Sequence, residues 1–226
     1  MLRANPRVDD HQRQGAGSVP DEIFAGRWRA VSEIGRGSTG QLYLASDVDG
    51  DERIVVKRAA DALLLRNEAD VLSALVHPGV VRLKERHDEA SPPFLLLELV
   101  EGADLEAYLS RHGGTLDEIT LGRLLLRLCD AVAFVHARGF LHRDLKPGNV
   151  LIRPDGSPVI VDFGAALRLE QAGADSLWSF VTDGYAAPEQ YFADQREGPW
   201  TDVYGLGALG HRALTGSAPA AALIRA

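Results

Sequence analysis

Cysteine is nearly absent: Cys129 stands alone among 226 residues. No intramolecular disulfide can form and one thiol cannot build a cysteine metal cage, so a reducing compartment is expected, and the cytoplasm fits best. Lysine is almost as scarce. Of 24 basic residues, only Lys57, Lys84 and Lys146 are lysine. Lysine is a compact point charge on a flexible stem and arginine a planar fork, so positions that keep lysine stand out. An excess of positive charge is missing too. Lys and Arg total 24 against 32 Asp and Glu, giving a net charge of -8, which disfavours a phosphate-backbone binder; no nucleic acid partner is expected. Long apolar runs are also lacking. The strongest, Phe94 to Leu97, is broken by Glu98, and Met1 to Asp10 holds no apolar stretch of signal-peptide length. Neither a membrane span nor secretion is expected.

What is present suits a folded chain. With 46% hydrophobic and 25% charged residues the composition is ordinary for a globular protein, and the length fits one large domain or two small lobes. Residues 1–22 mix Asn5-Pro6, Asp9-Asp10, Gly15, Gly17 and Pro20 with no periodic apolar face, and read as a flexible tail. From residue 23 to 101 the pattern is mostly strand. Trp28, Val31 and Ile34, then Leu42 to Leu44, then Ile54 to Val56 form β-type runs with Gly or Asp-Gly turns between them, a three-stranded meander. Asp61 to Leu75 has a helical period, and Val80 to Leu83 and Phe94 to Leu99 are further strand candidates. From 102 to 226 helices dominate: Leu105 to His112, then Ile119 to Ala137 with Asp117 as its cap. Cys129 lies on this apolar helix and is expected in the core.

Five patches carry chemistry. Gly35-Arg36-Gly37-Ser38-Thr39-Gly40 can bring backbone amides close to phosphate oxygens; a glycine-rich hairpin is the plain alternative. A strand rather than a helix follows it, so a dinucleotide fingerprint fails its context. Lys57, 17 residues beyond Gly40, ends the third strand, where Glu68 on the next helix is placed to pair with it; a solvated ion pair is the alternative. His142-Arg143-Asp144-Leu145-Lys146-Pro147-Gly148-Asn149 packs several polar groups of distinct chemistry into eight residues. Asp162-Phe163-Gly164 starts 18 residues beyond Asp144, and Ala187-Pro188-Glu189 ends 27 residues beyond Asp162.

In this order the patches resemble the protein kinases, and specifically the eukaryotic-like (Hanks-type) serine/threonine kinases of bacteria. The resemblance implies an α+β bilobal fold: a small antiparallel sheet with one helix, then a mainly helical C-lobe that lacks its last helices. It also implies ATP and Mg²⁺, with Mn²⁺ as an alternative, and protein substrates that accept phosphate on Ser or Thr, this chain included. By the family pattern Gly35, Gly37 and Gly40 cover the phosphates, with Ile34 and Leu42 beside them. Lys57, paired with Glu68, contacts the α and β phosphates. Asp162 and Asn149 hold the metal, Asp144 accepts the substrate proton, and Lys146 faces the γ-phosphate, as in Ser/Thr kinases. Glu98 and Val100 belong to a hinge for adenine, Leu97 is the gatekeeper, and Asp104 reaches the ribose; a strand end entering a loop is the alternative there. Both phosphate-facing positions are lysine in a chain that otherwise writes arginine, a coincidence of about 1% by chance, which favours retained catalysis over a decayed relative.

The same resemblance assigns supporting roles. His142 and Gly164 belong to the two loops, and Asp202 anchors the backbone of the first. Arg143 is expected to pair with a phosphate on the activation segment, Asp162 to Glu189, with Ser176 or Ser179 as the acceptor and Thr182 contacting the catalytic loop. The resemblance covers roughly Arg27 to Gly216, short of a full C-lobe, so Glu189 would lack its usual arginine. A truncated gene, a minimal kinase, or a partner chain or second copy covering the short lobe are the readings left open. The rival function is a nucleotide-binding pseudokinase or scaffold; a small-molecule phosphotransferase is a weaker third.

Overall fold

Alternation of side chains organises the first part of the molecule. The computed structural model describes residues 22–37, 40–59, 61–171, 181–192 and 194–225. Strands β1 (Ile23–Phe24), β2 (Trp28–Gly37), β3 (Gly40–Asp47) and β4 (Arg53–Arg58) form an antiparallel meander. Helix α1 (Ala62–Ala74), β5 (Leu83–His87) and β6 (Phe94–Glu98) follow, and the sheet order is β1-β2-β3-β4-β6-β5. Because neighbours on a strand face opposite ways, Tyr43, Ala45, Ile54, Val56, Phe94 and Leu96 pack with Phe24 and Trp28 on the outer face. Val55, Leu95 and Leu97 turn inward to the main core.

Asp61 starts α1 by accepting hydrogen bonds from the Leu63 and Leu64 amides, a cap contributing about 1 kcal/mol. The face it buries, Leu65, Glu68, Ala69, Val71 and Leu72, follows the helical period but contains one carboxylate. The strand expected at Val80 to Leu83 begins instead at Leu83. Val80 bridges Ile160 in parallel, and the Val81 amide donates to the Ile160 carbonyl at 2.9 Å. That apolar run is therefore buried against the second lobe rather than within the sheet.

The second part holds β7 (Ala103–Asp104), α2 (Leu105–Arg111), α3 (Glu118–Ala137), β8 (Phe140–Leu141), β9 (Val150–Ile152), β10 (Pro158–Ile160), β11 (Leu167–Arg168), α4 (Pro199–Thr215) and α5 (Ala222–Arg225). Asp117 caps α3, accepting from the Ile119 and Thr120 amides at 3.0 Å each. Leu121, Leu124, Leu128, Ala131, Val132 and Val135 form its buried face. Cys129 corrects an expectation: one step past Leu128 turns it about 100° around the helix, and it is exposed rather than in the core. Helix α4 passes so near the loop after β8 that a Cβ on Gly205 would sit 3.0 Å from Leu145 Cβ. One apolar cluster runs from α1 and β6 through α3, β9, β10 and α4, so the two parts share a core. The result is the expected α+β bilobal arrangement, a sheet with one helix followed by a mainly helical lobe. Among the described residues no helix is long and apolar enough to cross a membrane.

Candidate active site

A cleft of about 390 Å³ opens between the lobes, and it is lined by every residue expected to contact nucleotide: Ile34, Gly35, Gly37, Gly40, Leu42, Lys57, Glu98, Val100 and Asp104. The expected gatekeeper Leu97 lines it too, as do Glu68 and Asp162. In the β2–β3 hairpin Gly35 faces Leu42 and Gly37 faces Gly40. The glycines differ in what requires them. At Gly40, with φ at +141°, a Cβ would lie 2.3 Å from the Arg58 carbonyl oxygen, so the fold itself excludes any larger residue. At Gly37 a Cβ meets nothing within 4 Å among the described residues, so packing does not explain its bareness, whereas close approach of a ligand would. Asp104 also caps α2, accepting from the Ala107 amide at 2.8 Å.

Lys57 reaches the cleft from the inward face of β4. Its Nζ donates to Glu68 Oε1 at 2.8 Å and to Asp162 Oδ1 at 2.7 Å, joining the sheet, α1 and the second lobe. With Lys57 and Glu68 only 3% and 2% exposed, this is a buried pair and not a solvated one. Burial opposes the Lys57 charge, but the Glu68 and Asp162 carboxylates outweigh it and hold the ammonium above the ordinary lysine value. Burial also works against the charge of Asp162, and Lys57 more than offsets it, so that carboxyl sits below the usual range. Burial pushes the Glu68 carboxyl up, and Lys57 counters it only in part. Asp162 has φ at +61°, and its Oδ1 also accepts from the Gly164 amide at 3.3 Å.

The loop after β8 is pinned from below by α4. Asp202 Oδ2 accepts from the His142 amide at 2.9 Å and Oδ1 from the Arg143 amide at 2.8 Å, while the His136 ring lies 2.7 Å from Oδ2. His142 is buried, contacts the Val161 carbonyl at 3.1 Å and meets the Phe163 ring edge-on at 4.7 Å, which ties the two loops together. Asp144 is ringed by donors. Its Oδ2 accepts from Lys146 Nζ at 2.6 Å and Asn149 Nδ2 at 2.9 Å, and its Oδ1 accepts from the Thr182 hydroxyl at 2.8 Å. Thr182 therefore makes the catalytic-loop contact expected of it.

Two expected pairings gain partners from the chain itself. Arg143 meets a carboxylate, its Nε and Nη2 donating to Glu197, just ahead of α4, at 2.6 and 2.5 Å. Glu189, expected to lack its usual arginine, accepts from the Thr201 hydroxyl at 2.6 Å. Ser176, Ser179 and residues 1–21 lie outside the described residues. Sequence reasoning missed Glu197 and Gln190; the latter is buried, donates to the Arg143 carbonyl at 2.8 Å and accepts from the Ala187 amide at 2.9 Å. Gln190 directly follows the Ala187-Pro188-Glu189 motif, which was the signal available for it.

Comparison with known proteins agrees with this geometry. A family model described as the protein kinase domain matches residues 28–224. The chain is 34% identical over 212 residues to the serine/threonine-protein kinase PkaA of Streptomyces coelicolor, covering 82% of this chain and 38% of that protein. It is 33% identical over 210 residues to the serine/threonine-protein kinase PknA of Mycobacterium tuberculosis, covering 87% and 48%. With the serine/threonine-protein kinase PknD of Protochlamydia amoebophila it shares 28% identity over 229 residues, covering 85% and 23%. The chain thus spans less than half the length of each of these relatives.

Proposed function

Because the chain belongs to the protein kinase family, we propose that it transfers the γ-phosphoryl group of ATP to Ser or Thr hydroxyls of protein substrates, its own included. The observation that carries this reading is the buried junction of Lys57 with both Glu68 and Asp162, the assembly that phosphoryl transfer in this family requires. The cleft receives the nucleotide, with adenine against Glu98 to Val100, ribose near Asp104, and the phosphates under Gly35, Gly37 and Gly40. Lys57 holds the α and β phosphates. Asp144 aligns the substrate hydroxyl and accepts its proton, which requires the hydroxyl to take the place of the Thr182 contact or share that oxygen. Lys146, at 2.6 Å from Asp144, supplies positive charge where the γ-phosphoryl group moves.

The donor set also suits a divalent ion. Asn149 directs its amide N–H groups to the Asp144 carbonyl and carboxylate, at 2.8 and 2.9 Å, which leaves its amide oxygen to act with the Asp162 carboxylate. Among the described residues no group of three or more His, Cys, Asp or Glu forms a metal site, so this oxygen pair would complete its shell with phosphate oxygens and water. Such hard donors fit Mg²⁺, with Mn²⁺ as the alternative. The metal, when bound, neutralises charge on the phosphates. A single cysteine, which leaves no disulfide possible within the chain, supports a reducing setting such as the cytoplasm for this chemistry.

The test is transfer of labelled γ-phosphate from Mg·ATP to the chain and to a generic basic protein, with Asp144→Ala beside it. The wild type should transfer and the variant should lose on the order of 10²-fold or more in kcat, while ATP still raises its Tm. Equal silence from both, with the Tm rise intact, would replace this reading by that of a nucleotide-binding scaffold.

A further inference from the structure

We infer that Glu197 is a positioning residue for phosphoryl transfer, a built-in anion that sets the catalytic loop, so that turnover does not depend on a phosphate arriving at Arg143. The inference rests on the kinase reading above. Arg143 lies between His142 and Asp144 with φ at +71°, a conformation that residues bearing a Cβ hold only when their surroundings impose it. Every part of it is engaged. Its amide donates to Asp202 and its carbonyl accepts from Gln190. Its guanidinium meets both Glu197 oxygens at 2.6 and 2.5 Å, and Nη1 approaches the Ala165 carbonyl at 3.4 Å. Ala165 directly follows Gly164, so a single guanidinium bridges the loop bearing Asp144, the segment bearing Asp162 and the approach to α4.

The mount of Glu197 is itself rigid. The Gly198 amide donates to the Thr201 hydroxyl at 3.2 Å, and that hydroxyl donates to Glu189 at 2.6 Å. The ring of Trp200, itself exposed, lies over Gly198, where a Cβ would fall 2.4 Å from it. The paired side chains are 4% and 8% exposed. A phosphate seeking Arg143 would have to expel a buried carboxylate bound through both oxygens, and would leave that carboxylate without a counter-charge. The charge that other designs would acquire by modification is thus already encoded in the chain.

The experiment compares purified wild type before and after phosphatase treatment, with phosphate removal verified by mass spectrometry, and sets Glu197→Gln beside it. The expectation is that dephosphorylated wild type keeps its initial rate within about twofold, while E197Q loses at least tenfold in kcat with KM for ATP changed by less than threefold. The double variant Arg143→Met with Glu197→Met removes both charges without stranding either, and should melt near the wild type yet keep the kcat loss. A wild type silenced by phosphatase, or a double variant with full kcat, overturns the inference. Inactivity of the untreated wild type would instead overturn the kinase reading itself.

Discussion

Replacing Asp202 by alanine removes one acceptor from three donors at once: the His142 amide, the Arg143 amide and the His136 ring. Both amides are buried, and each left unpaired costs about 1–3 kcal/mol. Asp202 also lies in the first turn of α4, where a carboxylate contributes roughly a further 0.3–1 kcal/mol against the helix dipole. The sum is about 2–7 kcal/mol, a large share of the roughly 5–15 kcal/mol that holds an ordinary domain folded. At about 2–4 °C per kcal/mol for a chain of this size, Asp202→Ala should lower Tm by about 5–28 °C. Asp202→Asn keeps the shape and one acceptor oxygen but turns an N–H group toward a donor, so it should cost about 1–3 kcal/mol. Differential scanning calorimetry of both variants, with urea melts to confirm an unchanged m-value, supplies the measurement. An alanine variant that melts within about 3 °C of the wild type would refute the reasoning, because the His142 and Arg143 amides would then have another acceptor. The order matters equally: asparagine costing as much as alanine would show that charge alone, and not the two amide contacts, holds the loop.

The two glycines of the hairpin should separate folding from binding. Gly40→Ala, whose Cβ would strike the Arg58 carbonyl, should destabilise by at least about 2 kcal/mol, whereas Gly37→Ala should melt like the wild type and raise KM for ATP. Thermal melts beside ATP titrations check this, and an ATP affinity unmoved in Gly37→Ala would contradict the covering role of the loop. Asp88 predicts an acid dependence: hydrogen bonds from Arg86 hold its carboxyl down to about 2, below its ordinary value, so its contribution is complete above about pH 4 and lost as pH falls toward 2. Asp88 is 6% exposed but Arg86 is 41% exposed, so screening limits the contribution to about 1–2 kcal/mol. The stability gap between wild type and Asp88→Asn in urea melts should shrink to near zero between pH 6 and pH 2, and a gap that is constant with pH would contradict the assignment.

The features legible from sequence were those written locally. Asp117 ahead of α3, the period of α1 and the β-type runs around Tyr43 and Val56 each depend on neighbours within a few positions, and each appears where expected. The cleft residues were legible through their motifs, including Lys57 and Asp162, which meet across 105 positions. What escaped depends on distant packing. Val80 looked like sheet because it is apolar and β-branched, yet its partner is Ile160 in the other lobe. Cys129 was assigned by its helix and not by its phase on that helix. Glu197 lies 54 positions from Arg143 in a stretch with no motif, so nothing local could assign it as the partner of that arginine.

Strand β4 carries two messages on alternating positions. Ile54 and Val56 belong to the outer cluster of eight buried residues, which takes no part in lining the cleft, while Val55 and Lys57 line the cleft itself. Changes among the outer residues tune how stiffly the roof of the cleft is held and leave its charges untouched. Changes on the inner positions alter the chemistry and leave the outer leaf of the sheet sealed. Stiffness and reactivity can therefore drift separately in this protein, although they are encoded on adjacent residues of a single strand.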